Sequence, residues 1–532
     1  LDAEQFARAA SYGTPQRVAA GEFVFQAGDD DADLILVETA RLEVLLTATE
    51  DSPEEVFLRS GPGQFVGELN LLTGQTRLLS GRVAEAGVVH RVGPASFRRL
   101  MARDAELSDL LLRAFLARRR LLSEHAGRDL EIVGDAGSGA GLALRTYLSR
   151  QSLPYLWIES ASAAGRSALD RAGLSTGDLP VVLTARDTLR QVSPGVLSHR
   201  LGLTYRRTPS GVADLTIVGA GPAGLAAAVY GASEGLETVL LDAVGAGGQA
   251  AASSRIENYL GFPFGLSGAA LTSRAAVQAL KFGAHLGSPC AVAGLRQENG
   301  VHVVTLTDGT EIPSRAVVVA TGAAYRNLPL ERWAEFVGSG IYYAATDLEA
   351  QTVSGWPVTV IGGANSAGQA ALYLARHAVG VTLAVRGKEL EAGMSAYLVD
   401  RIRADPRITI RTSTEVTALH GGDRLEQITL TDRTSGAPDS CGCGALFCFI
   451  GAEPATGWLT GVRLDPAGFI PTDVQLGAWW QVPERPPLPF ETSLPGVFAV
   501  GDVRLGSMKR VAAAVGEGAS AVRSVHQALT LV

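Results

Sequence analysis

Residues 215–242 read LTIVGAGPAGLAAAVYGASEGLETVLLD, and the fold turns on this stretch. Leu215–Val218 is an apolar run of strand type. Gly219, Gly221 and Gly224 then form a GxGxxG turn, and an alanine-rich helix precedes a second apolar strand. Each glycine has its own task. The first permits the tight turn, the second lets the backbone approach a pyrophosphate, and the third lets the helix pack on the strand. The helix N-terminus offers free N–H groups and the positive end of its dipole to phosphate oxygens. Asp242 ends the second strand, 23 residues after Gly219, where a carboxylate can hold a ribose hydroxyl. Strand, turn, helix, strand and acid agree on a Rossmann-like dinucleotide unit.

The same logic returns at 358–387, VTVIGGANSAGQAALYLARHAVGVTLAVRG. Gly362 opens the turn, Asn365 and Ser366 follow, and Ala367 stands where the third small residue belongs. The middle position is Ala364, whose methyl crowds a pyrophosphate. Two such units in one chain predict two nucleotide sites. Upstream, residues 17–95 carry short alternating runs such as EFVFQ and RLEVLL, the pattern of a small antiparallel barrel, followed by an arginine-rich helical stretch. Between barrel and Rossmann units, from about 128 to 205, strands and helices alternate as a small α/β unit. WWQVPERPPLPF at 479–490 reads as an irregular loop before the last strand.

The bulk numbers agree. The 532 residues imply several domains, and 46% apolar against 19% charged residues can build large cores. A net charge of −8 without a long basic block argues against a nucleic-acid partner. No apolar run reaches the ~20 residues of a membrane span. The first residues, LDAEQFARAA, show neither a basic nor an apolar leader, though the chain starts at Leu1 rather than Met. Cys290, Cys441, Cys443 and Cys448 are too few for a disulfide framework, so a cytoplasmic location is expected.

After Asp242 come Gly247-Gly248-Gln249, IENYLGFP at 256–263, ATG at 320–322, VFAVGD at 497–502 and KRVAAAVGEGASAV at the end. This order, over roughly 320 residues, resembles the low-molecular-weight thioredoxin reductase family. The resemblance implies FAD, a homodimer, and an NAD(P)H domain inserted between two halves of the FAD domain. It assigns Gly248, Gln249, Asn258, Thr321, Gly322, Gly501 and Asp502 to the flavin, the last on its ribitol. Arg510, Val511 and Ala512 would turn a helix N-terminus to the pyrimidine edge of the ring, where a positive helix end stabilises the charge of reduced flavin. Residues 212–330 and 453–532 are then the FAD halves and 331–452 the NAD(P)H domain. Relatives end the strand after the second turn in His-Arg-Arg, with a further arginine downstream. This chain has Val385, Arg386, Gly387 and Lys388 there and Glu391 downstream. Arg386 and Lys388 can still hold a 2′-phosphate, which favours NADPH over NADH.

The relatives' Cys-Ala-Thr-Cys run aligns with Ala344-Ala345-Thr346-Asp347, and Leu348 replaces the acid that follows. Without thiols, two electrons have no path through a protein disulfide. Asp347 is the candidate catalytic residue in their place, or else the N-cap of a helix starting at DLEAQ. Cys441, Cys443 and Cys448 have neither a CxxC nor a fourth ligand, so no metal site is expected.

Residues 1–125 resemble the cyclic-nucleotide-binding domain. Gly67 and Glu68 open FVGELNLLTGQTR, and Arg77 stands nine residues after Glu68. The acid suits a ribose 2′-OH and the arginine a cyclic phosphate, while Leu78 departs from the small residue usual there. Residues 128–206 resemble a thioredoxin or glutaredoxin fold, with Pro180 before a strand and GDAGSGAG in the slot of a CxxC. The whole reads as a multidomain chain: a cyclic-nucleotide-type β-barrel plus helices, a cysteine-free thioredoxin-like α/β domain, and two Rossmann-like domains. The expected function is an FAD enzyme oxidising NAD(P)H and reducing a non-disulfide acceptor. The alternative is a non-catalytic flavin and cyclic-nucleotide sensor controlling a partner.

Overall fold

The computed structural model describes all residues except 28, 30–32, 47–53, 68–70, 72–76, 78, 126–129, 152, 154, 185–186, 202, 206–210, 254–255, 257, 354 and 532. At the N-terminus, two four-stranded antiparallel sheets face each other across a core that includes Ile35, Val37, Leu42 and Val83. Alternation along these short strands puts one apolar face inward. The Pro94–Arg103 and Ala105–His125 helices close the barrel, with Phe97, Leu107 and Phe115 buried beneath them.

The middle domain has the thioredoxin topology. Glu131–Gly134 pairs parallel with Leu156–Glu159 and antiparallel with Val181–Leu183, which pairs antiparallel with Thr188–Leu189. The Gly139–Gln151 and Pro194–Arg200 helices contribute Leu144, Tyr147, Leu148 and Leu197 to one buried cluster, and Ala163–Ala172 contributes Ala168 and Leu169 to another. The Leu179–Pro180 bond ahead of Val181 is cis.

Both remaining domains are α/β around parallel strands, the first sheet being extended by the antiparallel Val301–Leu306 and Val292–Glu298 and the second domain carrying a separate antiparallel three-stranded sheet. The first is seven-stranded: Ala213–Val218 lies between Thr238–Leu241 and Glu311–Val319, all parallel, and Val497–Ala499 returns from the C-terminus to pair with Glu311–Val319. Buried on both faces, these strands are runs of Val, Leu, Ile and Ala rather than alternating patterns. The second is five-stranded and parallel, in the order Ile341–Tyr342, Ala445–Cys448, Pro357–Ile361, Gly380–Ala384, Ile408–Arg411. A two-stranded ribbon, Ala323–Tyr325 against Ala452–Pro454, carries the chain between them. The Val511–Leu531 helix packs so closely on Pro222–Ser233 that a Cβ on Gly518 would stand 2.0 Å from the Ala223 carbonyl oxygen.

The WWQVPERPPLPF segment is pinned despite its irregularity. Arg485 donates to both oxygens of Glu491 at 2.7 and 2.8 Å, and that carboxylate is fully buried. It also accepts from the Leu488 and Gly496 amides.

Candidate active site

The carboxyl end of Ala213–Val218, the N-terminus of Pro222–Ser233 and the turn before Val511–Leu531 open onto one cavity of ≈ 640 Å³. The glycines of the first turn divide as their tasks require. Gly219 has φ +106, and a Cβ there would stand 2.4 Å from the Ala320 carbonyl oxygen. On Gly224 a Cβ would meet the Gly219 oxygen at 1.8 Å. Gly221 differs: its backbone is extended, and a Cβ would find only the Gly248 Cα, at 3.9 Å. The protein leaves that volume free on the cavity side, as a cradle for a phosphate requires.

Asp242 lines the cavity, and its carboxylate is already engaged. It accepts from the Ala220 amide at 2.8 Å and from the Val244 and Gly245 amides at 2.9 and 2.8 Å, so it braces the turn beside any ribose it holds. Gly248, Gln249, Thr321, Gly322, Gly501, Asp502, Arg510 and Val511 line the same cavity. Asn258 and Ala512 are exposed and lie outside its lining. Burial pushes the Asp502 carboxyl above the usual carboxylate range, Glu517 adds to this, and the Lys509 ammonium opposes it. Lys509, Tyr325, Tyr373 and Arg150 also line the cavity. Sequence reasoning missed these four. Lys509 adjoins Arg510 and Tyr325 follows ATG closely, but nothing local marks Arg150, which comes from the middle domain.

The second glycine turn faces this same space. Ser366, Gln369, Ala370 and Tyr373, on the Asn365–Leu374 helix, line the same cavity as the first turn. Gly362 has φ +137, and a Cβ on it would lie 2.3 Å from the Phe449 carbonyl oxygen; Ala367 is buried beneath. The side chain of Asn365 binds Ser395 instead of facing the cavity, donating to its hydroxyl at 3.0 Å and accepting from its amide at 2.7 Å. Arg386 and Lys388 are exposed beyond the neighbouring strand. Arg433 reaches the Arg386 carbonyl at 3.3 Å, adding a third cation that the sequence did not advertise. Glu391 pairs with Arg403 at 2.6 Å.

At the stretch that the resemblance sets against a Cys-Ala-Thr-Cys run, the cavity wall is Tyr343, Ala344 and Ala345. The Tyr343 ring stacks on Tyr325 at 5.4 Å and 9°, and its hydroxyl accepts from the Trp333 indole at 2.9 Å. Burial drives the Tyr325 hydroxyl up to about 12, against an opposing pull from Arg150. The next helix begins at Asp347, whose side chain lies outside the described ones. Its cap is Thr346 rather than Asp347. The Thr346 amide donates to Glu349 at 2.9 Å, and its carbonyl accepts from Ala350 at 2.9 Å.

All four cysteines are free. Burial pushes the Cys443 thiol up to about 12 and the Cys448 thiol up to about 11, so both stay protonated at neutral pH. Among the described residues no His, Cys, Asp and Glu cluster could hold a metal, and no helix is long and apolar enough to cross a membrane.

In the barrel, Gly67 has φ +95, and a Cβ there would stand 3.2 Å from Arg77 Nη1. Arg77 is buried, with its guanidinium 4.1 Å from the Phe25 ring centroid and Nη2 donating to the Asp33 carbonyl at 3.1 Å. Glu68 and Leu78 lie outside the described residues.

Comparisons with known proteins agree with this geometry. Residues 213–518 match the family described as pyridine nucleotide-disulphide oxidoreductase, and residues 15–104 match the cyclic nucleotide-binding domain. Thioredoxin reductase from Treponema pallidum (strain Nichols) is 32% identical over 58% of this chain and 95% of its own length. The enzyme of the same name from Streptomyces clavuligerus is 32% identical over 60% of the chain and 95% of its own. Among solved structures, Lactococcus lactis thioredoxin reductase in its FR conformation superposes with a TM-score of 0.54 at 27% identity, covering 60% of this chain and all of that one. The T. acidophilum thioredoxin reductase gives 0.53 at 29%, covering 59% and 98%.

Proposed function

From the premise that this chain belongs to the pyridine nucleotide-disulphide oxidoreductase family, we propose that it is an FAD enzyme that oxidises NADPH and reduces a non-disulfide acceptor, under the control of a cyclic nucleotide. The carrying observation is the wall of Tyr343, Ala344 and Ala345, which holds no thiol where the family places its disulfide. The chain's own thiols offer no dithiol in its place: Cys290 lines the cavity but is free like the other three, and burial raises all four thiols, Cys443 to about 12 and Cys448 to about 11.

FAD and NADPH are the cofactors of the thioredoxin reductase group, and the cavity residues fit an FAD. The free volume over Gly221 admits a pyrophosphate, and the helix behind it presents N–H groups and a positive dipole end. When bound, FAD supplies the two-electron chemistry, taking hydride equivalents from the nicotinamide and delivering electrons onward. Lys509, Arg510 and the N-terminus of Val511–Leu531 put positive potential at one end of the cavity, where negative charge on a reduced ring would be stabilised. Asp502 beside them is a carboxyl whose charged form burial disfavours, against the opposing pull of Lys509. Ser366, Gln369, Ala370 and Tyr373 bring the nicotinamide-side helix to the same space, so both cofactors can meet without leaving it. Arg386 and Lys388 are the exposed cations that favour a 2′-phosphate, with Arg433, paired with Glu415 at 3.4 Å, beside them.

The stacked Tyr325–Tyr343 pair favours a planar acceptor of the quinone class, with oxygen as a second outlet. A homodimer in a reducing cytoplasm completes the proposal, in keeping with four free cysteines. Anaerobic titration with NADPH tests it. Flavin absorbance should bleach on NADPH addition and recover with a quinone. A flavin that stays oxidised in excess NADPH and excess NADH would instead favour a non-catalytic sensor.

A further inference from the structure

The cavity is lined by cations from two places. Lys509 and Arg510 sit together before the last helix. Arg150 comes from another domain, on the last turn of the Gly139–Gln151 helix of the thioredoxin-like domain, outside residues 213–518.

The docking that brings Arg150 there is specific. Gln151 donates to the Ser288 hydroxyl, and the Ser198 hydroxyl donates to the Ser288 carbonyl at 2.8 Å. Ser288 is buried at that junction. The Arg150 stem lies flat on the loop after Asp242: a Cβ on Gly245 would stand 3.1 Å from Arg150 Cβ and 3.4 Å from its Cδ. Gly245 is not among the positive-φ glycines, so its small size matters for this approach rather than for the backbone. Arg150 is half-buried, and no hydrogen bond or ion pair joins its guanidinium to another described residue. Asp242, the acid at hand, is engaged with three main-chain amides. A half-buried guanidinium without a carboxylate, on the wall of a cavity shaped for a doubly charged group, calls for an anion.

We propose that Arg150 is a ligand of the FAD pyrophosphate, so that the cysteine-free thioredoxin-like domain completes the flavin site in cis. The helix behind Gly221 supplies main-chain donors to one side of the phosphates, and Arg150 supplies the charged fork on the other. A domain stripped of redox chemistry thereby keeps a task, and flavin retention becomes linked to its docking. This inference rests on the assignment of FAD to the cavity.

The test is FAD titration of the deflavinated full-length chain, followed by flavin fluorescence, for wild type, Arg150→Ala and Arg150→Lys at low and high salt. Arg150→Ala should bind FAD about ten- to a hundredfold more weakly, with a flatter salt dependence, and Arg150→Lys should recover part of the loss. The thermal midpoint of the apoprotein should match wild type, while the rise on adding FAD shrinks. Unchanged FAD affinity and salt dependence in Arg150→Ala would overturn the proposal. So would an equal loss of apoprotein stability, which marks a docking residue, or a raised KM for NADPH alone. Wild-type apoprotein that fails to bind FAD would instead sink the cofactor assignment beneath it.

Discussion

Gly221→Asp separates the cofactor site from the fold that carries it. Gly221 has φ −73 and ψ −176, a backbone open to any residue, and its Cβ direction points into free volume. The apoprotein should therefore fold normally, within about 0.5 kcal/mol of wild type. The carboxylate, however, would face the pyrophosphate. At about 5 Å and an effective dielectric of roughly 20, each pair of like charges costs about 3 kcal/mol, enough for a loss of FAD affinity above a hundredfold. The assay is the ratio of flavin to protein absorbance after purification, with the apoprotein melting curve alongside. Gly219→Ala is the matched contrast. It adds about 1–2 kcal/mol of left-handed backbone strain and a contact 2.4 Å from the Ala320 oxygen, so there the fold itself should soften. Full flavin retained in Gly221→Asp would refute the reasoning.

Three further outcomes follow from the same geometry. Arg77→Ala should weaken cAMP or cGMP binding to the full chain by roughly ten- to a hundredfold in calorimetry, and no binding to wild type at millimolar concentration would remove the regulatory idea. Arg386→Ala with Lys388→Ala should raise KM for NADPH about tenfold while leaving NADH little changed; equal effects on both would place the 2′-phosphate elsewhere. The Cys448 thiol, raised to about 11, has a thiolate fraction of about one in a thousand at pH 8. Iodoacetamide should label it slowly there and about tenfold faster per pH unit up to pH 10. Rapid labelling at pH 7 in the folded protein would contradict a buried, protonated thiol.

Much of the fold was legible because backbone constraint was written locally. Glycines that cannot carry a Cβ, such as Gly219 and Gly224, announce a phosphate turn here because strand, helix, second strand and Asp242 stand around them in order. The middle domain was readable for the same reason, since LEIV, YLWIES and PVVLT alternate with helices at the thioredoxin spacing. What depended on tertiary docking was not readable. Arg150 looks like an ordinary charge on a helix end until Ser288 and Gly245 bring it to the cavity. Asn365 follows the glycine turn like a cofactor ligand, yet its amide is spent on Ser395, a partner 30 residues away. Thr346 takes the cap that is the alternative reading for Asp347, because Glu349 reaches back to its amide, whereas the residue three after Asp347 is Ala350 and has nothing to reach back with. The 479–490 stretch reads only as an irregular loop, and the pairing of Arg485 with the buried Glu491 that pins it appears only in the fold.

The central claim is electron delivery without a protein disulfide. The most direct test is steady-state turnover of the FAD-loaded full chain with NADPH, comparing a quinone with oxidised thioredoxin as acceptors at matched concentration. Quinone reduction should exceed thioredoxin reduction by at least about a hundredfold, because the wall at Ala344 and Ala345 offers no thiol for exchange. Brisk thioredoxin reduction, lost when Cys441 and Cys443 are both changed to serine, would contradict it.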